Sequence, residues 1–268
     1  MPVKPNYDHL TMSDSLAAPL AGRVVLVTGA SSGIGRAIAV GAARAGADVA
    51  LTYKSSVAGA RETESHIRAL GRQAATFQID ISDESALTTL GPAVCQRFGR
   101  IDTWINNAGA DILTGAGASL SDLQKLDLLL SVDLRGTIMA SWRAVEILGS
   151  QPDGGVIINM SWDHVLTGMA GTNPQLFAAV KGGVLAFSKS LARSVAPRVR
   201  VNVLAPGWIE TSFAAHLNSA RRAEVADSTP LARWGTADDV AGAAIFLASP
   251  AAAFITGQTL LVGGGVVM

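Results

Sequence analysis

Cysteine is almost absent: Cys95 is the single one in 268 residues, so no disulfide can form within the chain. A chain of this length without disulfides relies on its apolar core, which fits a reducing, cytoplasmic compartment. Aromatic residues make up only 5% of the chain, and only two of them are tyrosines, Tyr7 and Tyr53. A core has to be built instead from Ala, Val, Leu and Ile, within the 49% of residues that are hydrophobic. Charge of one sign is also missing. Lys and Arg number 21, as do Asp and Glu, and no run of five basic residues occurs. That removes the electrostatic footprint of a nucleic-acid binder. No apolar stretch reaches the ~18 residues of a membrane span. The first twenty residues lack the basic start and apolar run of a secretory signal. With two prolines near its start and several polar residues, the segment 1–20 reads as a flexible N-terminal arm. Residues 21–268 read as one domain.

Glycine is abundant, at 28 residues, and its placement is informative. Val24 to Val27 is an unbroken apolar run, the pattern of a strand buried on both faces of a parallel sheet. Thr28 and Gly29 end it. Gly33-Ile34-Gly35 then opens a run from Arg36 to Ala45 that reads as a helix. Strand, glycine turn and helix together make a dinucleotide loop. The backbone can approach a pyrophosphate, and the helix N-terminus offers free N–H groups.

The same alternation continues. Strands are expected at Asp48–Tyr53, Gln73–Ile79, Ile101–Ile105, Val156–Met160, Val199–Leu204 and Thr259–Val262. Helices are expected at Val57–Leu70, Glu84–Phe98 with Ser82 or Asp83 as cap, Leu120 to about Leu148, Pro174 to about Ala196, and from Thr236 to Leu247. Thr114–Ala118 reads as a glycine-rich loop. Strands alternating with helices from end to end demand a three-layer, doubly wound parallel sheet of about seven strands. The longest stretch without strands, near 208–234, reads as a mobile lid.

The segment TGASSGIG, the Asn106-Asn107-Ala108-Gly109 segment, LAPGWIET and the closing TGQTLLVGGG occur in an order that resembles the short-chain dehydrogenase/reductase family. The likeness covers about Ala21 to Met268. It implies a Rossmann-type fold and a cofactor held by Gly29, Ser31, Ser32, Gly33, Ile34, Gly35, Asp80, Ile81, Asn107, Gly109, Lys181, Pro206, Gly207, Ile209 and Thr211. It also implies pairing of the 120–148 and 174–196 helices between subunits, giving a homodimer or homotetramer. No metal ligand, nucleic acid or membrane partner is expected.

An acid at the end of the second strand would bind a ribose 2′-hydroxyl and repel a 2′-phosphate. The chain has Tyr53-Lys54-Ser55-Ser56 there. Lys54, with Ser31, Ser32 and Ser55, favours NADP(H), with NAD(H) as the alternative.

The family's usual catalytic groups are Asn, Ser, Tyr and Lys. Lys181 is in place, four residues after the Tyr position. That Tyr position holds Phe177, the Ser position aligns with Trp162, and the Asn position holds Asp133. Tyr7 and Tyr53 are not plausible stand-ins within one subunit. The candidates for a rebuilt proton relay are Lys181, Asp163, His164 and Asp133. Asp133 can alternatively pair with Lys181 across the helices. The favoured function is hydride transfer on a small carbonyl or alcohol substrate with a non-standard proton donor. The alternatives are a redox-inactive nucleotide-binding protein and non-redox chemistry in the same pocket.

Overall fold

The computed structural model describes residues 18–212 and 214–268. Most of the expected arm, residues 1–17 with Tyr7, lies outside them, as does Phe213. The end of that arm is not arm-like: Leu20 is fully buried and its N–H donates to the Ala45 carbonyl. An apolar residue beside the first strand belongs to the core, whatever the composition of the segment before it.

Seven strands form one parallel sheet: β1 (Val24–Val27), β2 (Asp48–Tyr53), β3 (Ala74–Gln78), β4 (Thr103–Asn106), β5 (Gly155–Met160), β6 (Val199–Pro206) and β7 (Thr259–Val262). Their order in space is β3-β2-β1-β4-β5-β6-β7. The chain moves outward from β1 to β3 and then returns to β4 on the other side of β1. That reversal opens a crevice at the carboxyl ends of β1 and β4, where ligands bind in such sheets.

The helices are α1 (Gly33–Arg44), α2 (Val57–Ala69), α3 (Glu84–Phe98), α4 (Asp122–Leu129), α5 (Thr137–Ser150), α6 (Thr172–Val195), α7 (Ser219–Ser228) and α8 (Ala237–Ala248). Alternation along β1 sorts the two cores. Val25 and Val27 pack with Ile38 of α1 and Val240 and Leu247 of α8. Val24 and Leu26 face the other way, onto Leu87 and Leu90 of α3 and Ala144 and Leu148 of α5. Both faces of the sheet are covered, which is why its central strands read as continuous apolar runs.

One local expectation is settled and two change. Asp83, not Ser82, caps α3, accepting from the Ser85 and Ala86 N–H groups. Gly115–Ala118 is one helical turn rather than open loop. The expected helix from 120 to 148 is two α-helices joined by a π-helical turn, Leu130–Gly136. A π turn adds a residue to the helical repeat, and such turns concentrate at functional sites. This one carries Asp133. No helix among the described residues is long and apolar enough to cross a membrane.

Candidate active site

A cavity of about 700 Å³ lies over the carboxyl ends of β1, β2, β4, β5 and β6. All sixteen residues expected to hold a dinucleotide line it. Its two ends differ in chemistry.

At the first end, the turn after β1 is built for close approach by an anion. Gly29 has φ +65° and sits against the Ala108 backbone, where a Cβ would collide. Gly33 has φ +54° with nothing within 4 Å of where its Cβ would be. A side chain there would be strained and would fill the space a ligand needs. Ser32 caps α1 without using its hydroxyl on the helix, so the first N–H groups of α1 are left for a ligand. The loop is held from the side. Asn107 Nδ2 donates to the carbonyls of Thr28 and Gly29, and Thr28 Oγ1 accepts from the N–H groups of Asn107 and Ala108. Arg36 reaches back from α1 to the Ser31 carbonyl. The donor set and the open cradle at Gly33 fit a pyrophosphate. Beyond it, Lys54 Nζ lies 2.6 Å from Asp80. Burial alone would raise the Asp80 carboxyl; hydrogen bonds from Lys54 and Ser82 outweigh it and hold the group below the usual carboxylate range.

At the second end, α6 places Asn173, Phe177 and Lys181 at i, i+4 and i+8, on one helix face along the cavity. Lys181 is buried and forms an ion pair with Asp133 at 2.8 Å; its Nζ also lies 3.4 Å from the Met160 carbonyl. Asp133 accepts in turn from the Ala110 N–H. The Phe177 ring centroid is 5.5 Å from Lys181 Nζ, and Trp162 meets Phe177 edge-on, at 5.5 Å between centroids.

The four proton-relay candidates separate into two pairs. Asp133 and Lys181 line the cavity; Asp163 and His164 do not. His164 stacks on Trp162 with centroids 4.9 Å apart and meets Trp208 edge-on at 6.2 Å. Asp163 is fully buried. Its Oδ1 accepts from the His164 N–H and lies 2.6 Å from His164 Nδ1. Its Oδ2 has no partner among the described residues and is wedged where a Cβ on Gly207 or Gly263 would clash. Burial raises the Asp163 carboxyl, and His164 only partly offsets this. The pair packs on Trp162 through the stacked His164 ring. Ser161 donates its hydroxyl to the Lys181 carbonyl and so fixes α6 against β5.

Sequence reasoning also passed over Asn173, for which i−4 from Phe177 was the available signal. It passed over the buried polar network of Asn106, Ser141, Asn159 and Ser188 too. That network locks β4 and β5 to α5 and α6 beneath the cavity. Among the described residues no cluster of three His, Cys, Asp or Glu side chains can hold a metal.

Comparisons with known proteins match this geometry. The model of the family described as enoyl-(acyl carrier protein) reductase matches residues 29–267. An uncharacterized oxidoreductase of Methylorubrum extorquens is 38% identical over 251 residues, covering 92% of this chain and 98% of that protein. The 3-oxoacyl-[acyl-carrier-protein] reductase of a Synechocystis species is 36% identical, covering 93% and 98%. The crystal structure of a short-chain dehydrogenase from Burkholderia cenocepacia in complex with NADP superposes with a TM-score of 0.82 at 34% identity, over 92% of this chain and 99% of that one. With a parallel sheet in this order, a glycine cradle at its crevice and relatives alike along nearly their whole length, the chain belongs to the short-chain dehydrogenase/reductase family.

Proposed function

We propose that the chain is an NADP(H)-dependent oxidoreductase that interconverts a carbonyl and an alcohol, with the Lys181–Asp133 pair handling the proton in place of a tyrosine. One observation carries this reading: the glycine cradle and the buried Lys181–Asp133 pair open into the same cavity. Burying an ion pair is costly, which favours a working role for it in the site.

NADP(H), when bound, supplies or takes up the hydride. Gly29 to Gly35 hold the pyrophosphate on the α1 N-terminus, Asn107 and Gly109 border the ribose, and Ile81 with Asp80 borders the adenine. Pro206, Gly207, Ile209 and Thr211 bracket the nicotinamide. Lys54 and the serines beside it hold the 2′-phosphate. That an NADP complex has been solved for the Burkholderia relative supports this cofactor. Residues 208–234 form the lid, and Trp208 joins Trp162 and Phe177 in an apolar wall that excludes water from the reacting centre.

During reduction the Lys181 ammonium donates a proton to the carbonyl oxygen as the hydride adds to carbon, and solvent reprotonates the amine. In the reverse direction Lys181, having released a proton to solvent, takes the alcohol proton. Asp133 balances the charge of Lys181 in its ammonium form. The chemistry needs no thiol or disulfide and suits the cytoplasm.

Calorimetric titration with NADPH and NADH is the first test, followed by carbonyl-dependent loss of NADPH fluorescence. NADPH is expected to bind in the micromolar range and more tightly than NADH. Lys181→Met is expected to lower turnover by about 100-fold or more, the size of a general-acid contribution. Phe177 and Trp162, which stand where hydroxyls are usual, favour a second reading, a redox-silent nucleotide binder. NADPH binding with no turnover across a carbonyl panel would establish that instead.

A further inference from the structure

The face of α6 that enters the cavity begins one turn before Phe177, at Asn173. The Asn173 amide is fixed from behind. Its Oδ1 accepts from the Nζ of Lys125 in α4 at 3.2 Å. An ammonium has three donors and no acceptor, so the atom facing it is the amide oxygen. The NH₂ end is left to the cavity and makes no hydrogen bond among the described residues. Lys125 is itself unusual: it is 8% exposed and forms no ion pair with a carboxylate among the described residues. A buried cation with only a neutral amide for a partner polarises that amide and projects positive potential through it. The carboxylate on this stretch of wall, Asp111, is already engaged by the N–H groups of Leu113 and Thr114 and by the Thr114 hydroxyl.

Asn173 and Lys181 are eight residues apart, about 12 Å along the helix axis. Side chains lean toward the helix N-terminus, so the long Lys181 side chain closes part of that gap. Even so, the two cannot hold one oxygen atom. Between them the wall is aromatic, with Phe177 against the edge of Trp162.

We propose that Asn173, polarised by Lys125, binds a second, non-reacting carboxylate of the substrate. The substrate class is a flat aryl carbonyl or aryl carbinol with a carboxylate at the far end of the ring. The ring lies over Phe177 and Trp162, and the reacting carbon sits beside Lys181. This assignment rests on the carbonyl–alcohol reading above and adds the substrate's shape and charge to it.

The test uses full-length protein saturated with NADP⁺, in which a ketone cannot be reduced, so that binding is read without turnover. Quenching of tryptophan fluorescence is titrated with para-acetylbenzoate and with acetophenone, which lacks the carboxylate. The expected result is at least about 10-fold tighter binding of para-acetylbenzoate, as for a hydrogen bond to a charged group. Asn173→Leu and, separately, Lys125→Met should erase that difference. Acetophenone affinity and NADP⁺ affinity, the control for folding, should stay unchanged in at least one of the two variants. Equal affinity for the two ketones in the native protein would overturn the assignment. So would a preference that survives in both variants, or one that disappears in Trp162→Phe but not in Asn173→Leu. A carboxylate preference that depends on Asn173, with no NADPH turnover across a carbonyl panel that includes both ketones, would uphold this site and overturn the oxidoreductase reading.

Discussion

The ammonium of Lys181 lies 2.8 Å from the carboxylate of Asp133, and both side chains are buried at the floor of the cavity. Family resemblance places a tyrosine where Phe177 stands and an asparagine where Asp133 stands, so the two departures are coupled. Without a phenol, the Lys181 charge loses a partner; with an aspartate, it gains one. Phe177→Tyr alone is therefore expected to raise carbonyl reduction only slightly, because Asp133 neutralises the charge that would lower the phenol's pKa. Adding Asp133→Asn should free Lys181 and bring a further gain of about 100-fold, measured as initial rates with NADPH. Asp133→Asn by itself should destabilise the fold by about 3 kcal/mol in urea denaturation. It leaves a buried cation with neutral acceptors only, the new amide and the Met160 carbonyl at 3.4 Å. Full activity from Phe177→Tyr alone would disprove the coupling.

Lys54 and Asp80 set a second balance. Their 2.6 Å contact holds Lys54 at the rim of the cavity while Asp80 partly spends its charge. A 2′-phosphate brings two negative charges to this point and has to share Lys54 with Asp80. Lys54→Ala should weaken NADPH binding by about 10-fold, in line with loss of one charge-assisted hydrogen bond, and leave NADH affinity nearly unchanged. Asp80→Asn should act in the opposite sense on NADPH. Calorimetry on the two variants checks both, and an equal loss for the two cofactors would remove Lys54 from phosphate recognition.

Asp163 predicts a packing effect and a pH effect. A Cβ on Gly263 would meet the unpartnered Oδ2 of Asp163. Gly263→Ala should therefore cost about 1–3 kcal/mol, as overpacking does. Combined with Asp163→Ala it should cost clearly less than the sum of the two singles, since the obstacle has gone. Burial raises the Asp163 carboxyl above its unfolded value. The native state then holds that proton more tightly than the unfolded chain. Its contribution is full below the unfolded pKa of about 4 and is lost as pH rises through the folded value. Asp163→Asn removes this slope, so its stability relative to the native chain should improve as pH rises from about 4 toward 7. Urea midpoints at several pH values measure it, and parallel curves would show that the carboxyl does not titrate abnormally.

The fold was legible because its signals are local. Val24 to Val27, the turn at Gly29 and the glycines after α2 and α3 each announce themselves within a few residues. The cofactor half of the site was legible for the same reason, since one loop and several strand ends carry it. The catalytic half was legible only in part: the pairing of Asp133 with Lys181 was expected, the surroundings of Asp163 and His164 were not. Asp163 and His164 follow a strand end directly, which makes them look like relay groups, but they do not line the cavity, and the close approach of Gly207 and Gly263 to Asp163 is long-range and leaves no local signal. The π turn that carries Asp133 lies inside a continuous helical stretch, and an extra residue in the repeat has no sequence signature of its own. Lys125 and Asn173 are 48 residues apart, and only the packing of α4 on α6 brings them together.

The outer face of α5 leads to a last prediction. Trp142 is 55% exposed and Leu130 is 40% exposed. Both border a groove of about 660 Å³ whose lining is mainly apolar, with Leu134 and Ile138 between them. Trp142 also meets Phe187 of α6 edge-on at 6.4 Å, so the two helices present one surface. A mainly apolar groove bordered by an exposed indole is costly to leave in water and marks a candidate association site. These are the helices that family resemblance pairs between subunits. Native protein is expected to run as a dimer or tetramer in size-exclusion chromatography with light scattering. Trp142→Asp should shift it toward the monomer by burying an unpaired charge at the centre of the interface. The shift should come with no loss of NADPH affinity in the isolated monomer, because no residue of the groove lines the cofactor cavity. An unchanged mass for Trp142→Asp, or a native monomer, would show that this face serves some other purpose.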